Sequence, residues 1–415
     1  MNFQQGLSGL NTTSKSLEVI GNNIANASTY GAKTSRAEFA DIYAGALGAA
    51  GGTSNIGIGV NLAAVTQQFS QGTISSTENS LDVAINGSGF FQVQDTSGAL
   101  LYSRNGQFKV DNQGFIVNNQ GQQLLGYAAD SQGVITPRAA GPLQLPTSGI
   151  APMETTSVNM EMNLDSRATA TTTAIDFNDA TTYTKATSQT LYDVKGQAVA
   201  MTYYFKKTAT DNWDVYATAN GTTIADDGAG NPAPVTSIVF PTSGAAPTSP
   251  AAPVAITIPA AADGSYEAMT GVTLDLSSAT QYGSSFSVTD LTQDGYAPGE
   301  LSSLQIAENG IITARYTNGT TKAAGQIELA NFRNPQGLQA LGGNAWAATY
   351  ASGDPVVGEP TSGTMGALQS GALEESNVDL TGELVNMITA QRIYQANAQT
   401  IKTQDAVLQT LVSLR

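Results

Sequence analysis

Neither cysteine nor histidine occurs among the 415 residues of this chain. Their absence removes disulfides, Cys/His metal sites, cysteine nucleophiles and every histidine-based triad or general base. Any catalysis would have to run on Asp, Glu, Lys, Ser or Tyr alone. Charge is scarce too: only 12% of residues are Asp, Glu, Lys or Arg, so solubility rests on neutral polar groups. No apolar run reaches the ~18 residues of a membrane-spanning helix, which argues against membrane insertion. No cleavable leader is legible, since the first base is Lys15 and no apolar core precedes a small-residue cleavage site. A chain of this kind that leaves the cell does so by another route.

What charge there is lies unevenly. Residues 1 to 75 carry three acids and three bases, residues 370 to 415 a net −2, and the stretch between them the remaining −14 of a total of −16. Near-neutral ends can pack against copies of themselves without strong repulsion, while an acidic body stays hydrated and repels nucleic acid.

The two ends share a pattern. Phe3, Leu10, Leu17 and Ile24 recur every seven residues, with Leu7 and Ile20 between them. Near the other end Leu380, Met387, Tyr394, Ile401 and Leu408 recur likewise, with Leu384, Ala398 and Val412 in the second position. Each segment predicts a helix with a narrow apolar seam of the coiled-coil kind. The first should end near Ala27, where Asn26, Ser28, Thr29 and Gly31 cluster; the second should start near Asp379 or Thr381 and run almost to Arg415. Such helices with unburied seams are marginal alone, so both ends are expected to be disordered in a free monomer. A protein with one such helix at each end looks built to be held by its ends, as polymers are.

Between the helices the code changes. Residues 44 to 57, rich in Gly and Ala, read as a hinge. Asn-Gly pairs at Asn86-Gly87, Asn105-Gly106, Asn309-Gly310 and Asn318-Gly319 sit between alternating apolar stretches and predict hairpins. Two precede residue 150 and two follow residue 300, which points to one β domain built from both flanks with an insertion between them. Within the insertion Val199, Met201, Tyr203 and Phe205 alternate, then Trp213 and Val215 on the return; strand-like runs follow at 237–240 and 254–258. Seven prolines between 232 and 259 confine that region to edges and loops. The fold class is α+β: terminal helices (1–75 and 370–415, with the hinge), a β-rich inner domain (76–145 and 296–369) and an inserted all-β outer domain (146–295).

Several stretches carry a family resemblance. SLEVIGNNIANAS (16 to 28) is similar to the signature of the bacterial flagellar axial family of rod, hook and hook-associated proteins, and the opening MNFQQGLSGLN looks like its hook members in particular. FSQGTISSTENSLDVAINGSGFFQV (69 to 93), YSRNGQFKVDNQGF (102 to 115), LLGY (124 to 127), ANFRNPQGL (330 to 338) and SNVDLTGELVNMITAQRIYQANAQTIKTQDAVLQTL (376 to 411) follow in family order. The family positions are Asn22, Asn23, Asn26, Gly72, Asp82, Gly87, Gly89, Phe90, Phe91, Arg104, Gly106, Asn334, Pro335, Asn377, Gln395 and Asn397. Tyr30-Gly31-Ala32-Lys33 departs from the usual Gly, aromatic, Lys.

The resemblance implies a structural subunit of the flagellar hook, the curved joint between rod and filament, exported unfolded by the flagellar apparatus and added beneath a cap. Its implied partners are copies of itself, the rod, the hook cap, the hook-filament junction proteins and the export apparatus, and its implied location is the basal body and extracellular hook. No cofactor, metal or catalytic residue is implied. The alternatives are a distal rod protein of the same family, whose members lack so large an insertion, and an exported β-rich adhesin or enzyme.

Bland readings stand beside these. Asn22, Asn23 and Asn26 are either a polar helix face ending in a cap or amides that bond backbones of neighbouring subunits. Gly87-Ser88-Gly89 reads as a hairpin turn, not a phosphate cradle. Asp226-Asp227-Gly228 reads as a solvated turn. Glu374-Glu375 reads as negative charge favouring the start of the last helix.

Overall fold

The structure is a computed structural model that describes residues 2–42, 59–130, 132–136, 140–146 and 149–413. The expected hinge at 44–57 and the side chain of Phe3 lie outside the described residues. The chain is β-rich with a helix near each end. It divides into two compact units, one of residues 1–147, 303–315 and 321–415, the other of residues 148–302 and 316–320.

In the first unit α1 (Asn2–Ala25) and α2 (Leu380–Ser413) carry the seams. Helix α1 stops because Asn26, Thr29 and Gly31 turn the chain, with Thr29 donating to Asn26 O and Gly31 at φ 71. Helix α2 starts at a built cap: Asp379 Oδ1 accepts the Thr381 amide at 3.0 Å. After α1 come β1 (Ser35–Ile42) and β2 (Gly59–Gln67), an antiparallel pair with a bulge at Glu38/Phe39. Then β3 (Ile74–Ser76), β4 (Val83–Asn86), β5 (Phe90–Gln94) and β6 (Leu100–Ser103) begin the β body.

The two flanks share sheets. β4 pairs with Ala367–Ser370, β3 with Ala372–Glu374, and β5 with both β6 and Leu329–Asn331. Pleating sends Phe90 and Phe91 to opposite faces of β5. Phe91 joins the main core with Val83, Ile85, Phe108, Leu124, Ile312 and Leu329. Phe90 joins an aromatic cluster of Tyr102, Phe332 and Trp346, packed edge to face.

The Asn-Gly pairs divide by what their strands pair with. Asn309-Gly310 and Asn318-Gly319 do turn antiparallel hairpins. Asn86-Gly87 does not, because β4 and β5 belong to different sheets, and so Gly87-Ser88-Gly89 is a crossover rather than the expected hairpin turn. Asn105-Gly106 also makes no hairpin. Its glycine lies so close to Val83 O that a Cβ there would overlap the carbonyl. A fifth pair, Asn220-Gly221, does turn a hairpin, with φ of 48° and 83°.

The second unit holds two sheets and, among its described residues, no helix. Val199, Met201, Tyr203 and Phe205 on Ala198–Ala209 and Trp213 and Val215 on Asn212–Ala219 are fully buried, as their alternation predicts. They share one core with Val158, Met160, Ile256, Met269 and Leu274 of the second sheet. The proline-flanked strands Thr236–Val239 and Val254–Ile258 both lie at sheet edges.

Candidate functional site

Helices α1 and α2 run antiparallel, with Gly6 opposite Ile401, Gly9 opposite Asn397 and Asn23 bonded to Glu383. The face of α1 that meets α2 is made of small and polar residues together with Ile20. Gly6, Thr13, Ile20 and Asn23 are buried, and a Cβ on Gly6 would come 2.9 Å from Ile401 Cγ1. On α2 Glu383, Asn397 and Ile401 meet α1, and Ala390 is buried. Glycine at positions 6 and 9 of α1 leaves room for the Ile401 and Asn397 side chains of α2 to lie directly on the α1 backbone.

The seam residues fall mostly beside this face. Leu10, Leu17, Ile24, Met387 and Ile401 are half-buried. Leu7, Leu380, Leu384, Tyr394 and Leu408 are exposed, each between 42% and 50%. The intrachain contact thus takes up Ile20 and Ile401 of the seam and leaves Leu7, Leu380, Leu384, Tyr394 and Leu408 facing solvent.

A polar collar lies where the helices join the β body. Asn23 donates to Ser35 O at 2.8 Å and accepts the Ser35 amide at 2.9 Å. Asn377 accepts the Thr34 amide at 2.7 Å and donates to Gln68 O and Ser70 Oγ, both at 2.8 Å. Glu374 lies deepest. Its Oε1 accepts Lys33 Nζ at 2.6 Å and the Gly72 amide at 2.9 Å, and its Oε2 accepts Arg104 Nη1 at 3.1 Å. The side chains of Lys33 and Glu374 are wholly buried and that of Arg104 is 5% exposed. Lys33 also donates to Ser70 O, and Arg104 to Gly87 O while lying 5.3 Å over the Phe90 ring. Burial pushes both the Lys33 ammonium and the Arg104 guanidinium below their ordinary values, and Glu374 pulls each back up.

Glu374 therefore corrects the sequence reading. It sits on the strand Ala372–Glu374 rather than at a helix start, and the cap of α2 is Asp379. The pairing of Lys33 with Glu374 leaves no trace in local pattern, because the two residues are 341 positions apart. The Tyr30-Gly31-Ala32-Lys33 departure packs closely here: the Gly31 amide donates to Glu374 O at 2.8 Å, and Tyr30 O accepts Asn344 Nδ2 at 2.8 Å.

The remaining family positions serve local structure. Asn26 donates to Asn22 O at 2.9 Å, closing the last turn of α1, and Asn22 is exposed. Asp82 accepts Thr77 Oγ1 and Asn79 Nδ2, and Gly87 donates to Gln71 Oε1. Gly89 takes a φ of 126°. Asn334 donates to Ala351 O ahead of a short turn begun by Pro335. Gln395 is exposed on α2. Asp227 accepts amides of its own loop, from Ala229 and Asn231. Among the described residues no three His, Cys, Asp or Glu side chains are grouped to hold a metal ion, and no helix is long and apolar enough to cross a membrane.

Four family models match the chain: Flagella basal body rod protein at residues 3–33, Flagellar hook protein FlgE/F/G D1 domain at 84–166, Flagellar basal body protein FlaE D2 domain at 163–296, and Flagellar basal body rod FlgEFG protein C-terminal at 369–414. The chain is 43% identical over 418 residues to the flagellar hook protein FlgE of Escherichia coli, covering 100% of both. It is 43% identical over 421 residues to that of Salmonella typhimurium, again covering 100% of both, and 32% identical to that of Borreliella burgdorferi over 99% of this chain and 98% of the relative. The crystal structure of Helicobacter pylori flagellar hook protein FlgE2 is similar in fold, with a TM-score of 0.54 at 15% identity, over 72% of this chain and 100% of that one.

Proposed function

The chain belongs to the flagellar hook protein family and is a structural subunit of the hook in the basal body and extracellular flagellum, and from this premise we propose how it is put to use. The apolar register left open on the helix pair is the polymerisation seam. Copies of the chain bury Leu7, Leu380, Leu384, Tyr394 and Leu408 against one another in a helical array, with the paired helices lining the tube. Full burial of a large apolar side chain stabilises by about 1.5–3 kcal/mol, so several per subunit suffice to drive addition.

In this reading the chain has three tiers: terminal helices (1–75 and 370–415), an inner β domain from both flanks (76–145 and 296–369) and an inserted all-β outer domain (146–295) facing outward. The array bends as a universal joint and transmits torque from rod to filament. Its other partners are the rod, the hook cap, the hook-filament junction proteins and the export apparatus, and it carries no catalytic role. The single observation behind the proposal is that α1 and α2 meet at Gly6, Gly9 and Ala390 while Leu7, Leu380, Leu384 and Leu408 stay exposed. Electron microscopy of the concentrated protein tests it: curved tubes are expected, and monodisperse globules at every concentration would refute self-assembly through the seam.

A further inference from the structure

The geometry points to Lys33, Arg104 and Glu374 as an ionic latch: the segment leaving α1 and the segment entering α2 dock on the β body together or not at all. Each member comes from a different place. Lys33 follows α1, Glu374 precedes α2, and Arg104 follows β6 on the β body itself. Their side chains are at most 5% exposed, so solvent cannot take over the role of a missing partner.

Consider either segment leaving alone. If the C-terminal segment departs, Lys33 and Arg104 remain as two buried cations without an anion. If the N-terminal segment departs, Glu374 loses its shortest bond, the one at 2.6 Å to Lys33. Loss of Glu374 is strongly unfavourable because two desolvated cations stay behind uncompensated, and loss of Lys33 leaves a buried carboxylate held only by Arg104 and the Gly72 amide. The bonds around the triad carry the same logic: Asn377 from one segment holds Thr34 of the other, and the Gly31 amide donates to Glu374 O. The helix pair is therefore joined to the β body at one node that closes as a unit, however copies of the chain assemble.

Hydrogen-exchange mass spectrometry on the full-length chain tests the latch, in free solution and in pelleted polymer. In each state, residues 30–36 and 370–378 should be protected to the same degree or exchange freely together. Lys33→Met and Glu374→Gln should each lower protection in both segments by about tenfold or more in the state where they are protected, leaving the strand Gln123–Ala128 unchanged. The triple variant Lys33→Met, Arg104→Met, Glu374→Leu, which strands no charge, should regain protection over either single variant. The latch is overturned if Lys33→Met loosens only 30–36, if one wild-type segment is protected where the other is not, if both exchange freely in both states, if the single variants also open Gln123–Ala128, or if the triple variant fares no better.

Discussion

An Ile401→Asp substitution separates the seam reading from an ordinary helix packing. In the single chain Ile401 is half-buried, its Cγ1 beside Gly6, with Asn397 and Thr400 of the same helix against α1 nearby. Losing half of an isoleucine's burial costs about 1 kcal/mol, and the new carboxylate keeps access to water on its open side. In a packed tube wall that open side closes, and an unpaired buried carboxylate adds several kcal/mol. A penalty of about 4 kcal/mol per subunit raises the concentration needed for assembly about a thousandfold.

Calorimetry and sedimentation read the two terms apart. The variant should be expressed and exported, melt within about 1 °C of wild type, and fail to pellet as tubes at concentrations where wild type does; cells carrying it should not swim. If α1 and α2 were instead an integral part of the cooperative fold of the free subunit, each kcal/mol would lower the melting temperature by about 2–4 °C. A fall of several degrees, or tubes formed at the wild-type concentration, refutes the reasoning.

Replacing residues 150–290 by a short Gly/Ser linker should leave a folded chain that still polymerises, with altered curvature seen by electron microscopy. Gly106→Ala should destabilise the β body by about 3 kcal/mol or more in a urea melt, because the added Cβ overlaps Val83 O, whereas Gly21→Ala, with nothing within 4 Å, should firm α1 by about 0.5–1 kcal/mol. Glu328 is buried, and desolvation raises its pKa against the 2.7 Å hydrogen bond donated by Tyr127, whose hydroxyl burial and Glu328 push up to about 12; Tyr102 and Glu359 are the other ionisable groups nearby. A raised carboxyl pKa contributes stability in acid that is lost as pH rises through it, so Glu328→Gln should match wild type near pH 4 and be the more stable near pH 8 in urea melts.

The helices were legible because heptad spacing survives in a single sequence, and the alternation at Val199 to Phe205 gave away a buried strand for the same reason. The face by which the helices meet was legible only in part: Ile20 and Ile401 belong to the expected seam, whereas Gly6 and Gly9, on which Ile401 and Asn397 lie, carry no apolar signal. Asn-Gly pairs announce a glycine at a tight spot, not the identity of the strands on either side, so Gly87 and Gly106 serve close approach rather than a hairpin. The collar was hidden for a third reason. Glu374 and Lys33 are 341 positions apart, and a buried ion pair leaves no periodicity behind.

The lengths of the helices add a last step. Helix α1 has 24 residues and α2 has 34, so α2 is longer by about 15 Å at 1.5 Å per residue. With Gly6 opposite Ile401, the antiparallel pairing uses up α1 within one further turn, while α2 continues for 12 residues to Ser413. Those turns carry Val407, Leu408 and Val412 at 53%, 50% and 77% exposure. An apolar overhang with no apolar cover among the described residues gains little from folding alone. On the proposed seam it would gain by lying against the next copy, and a contact of the overhang with a different surface of that copy repeats without closing. A two-fold dimer would bury each overhang once and stop. An open helical array buries every overhang except those at its growing end, which is where a tube adds subunits.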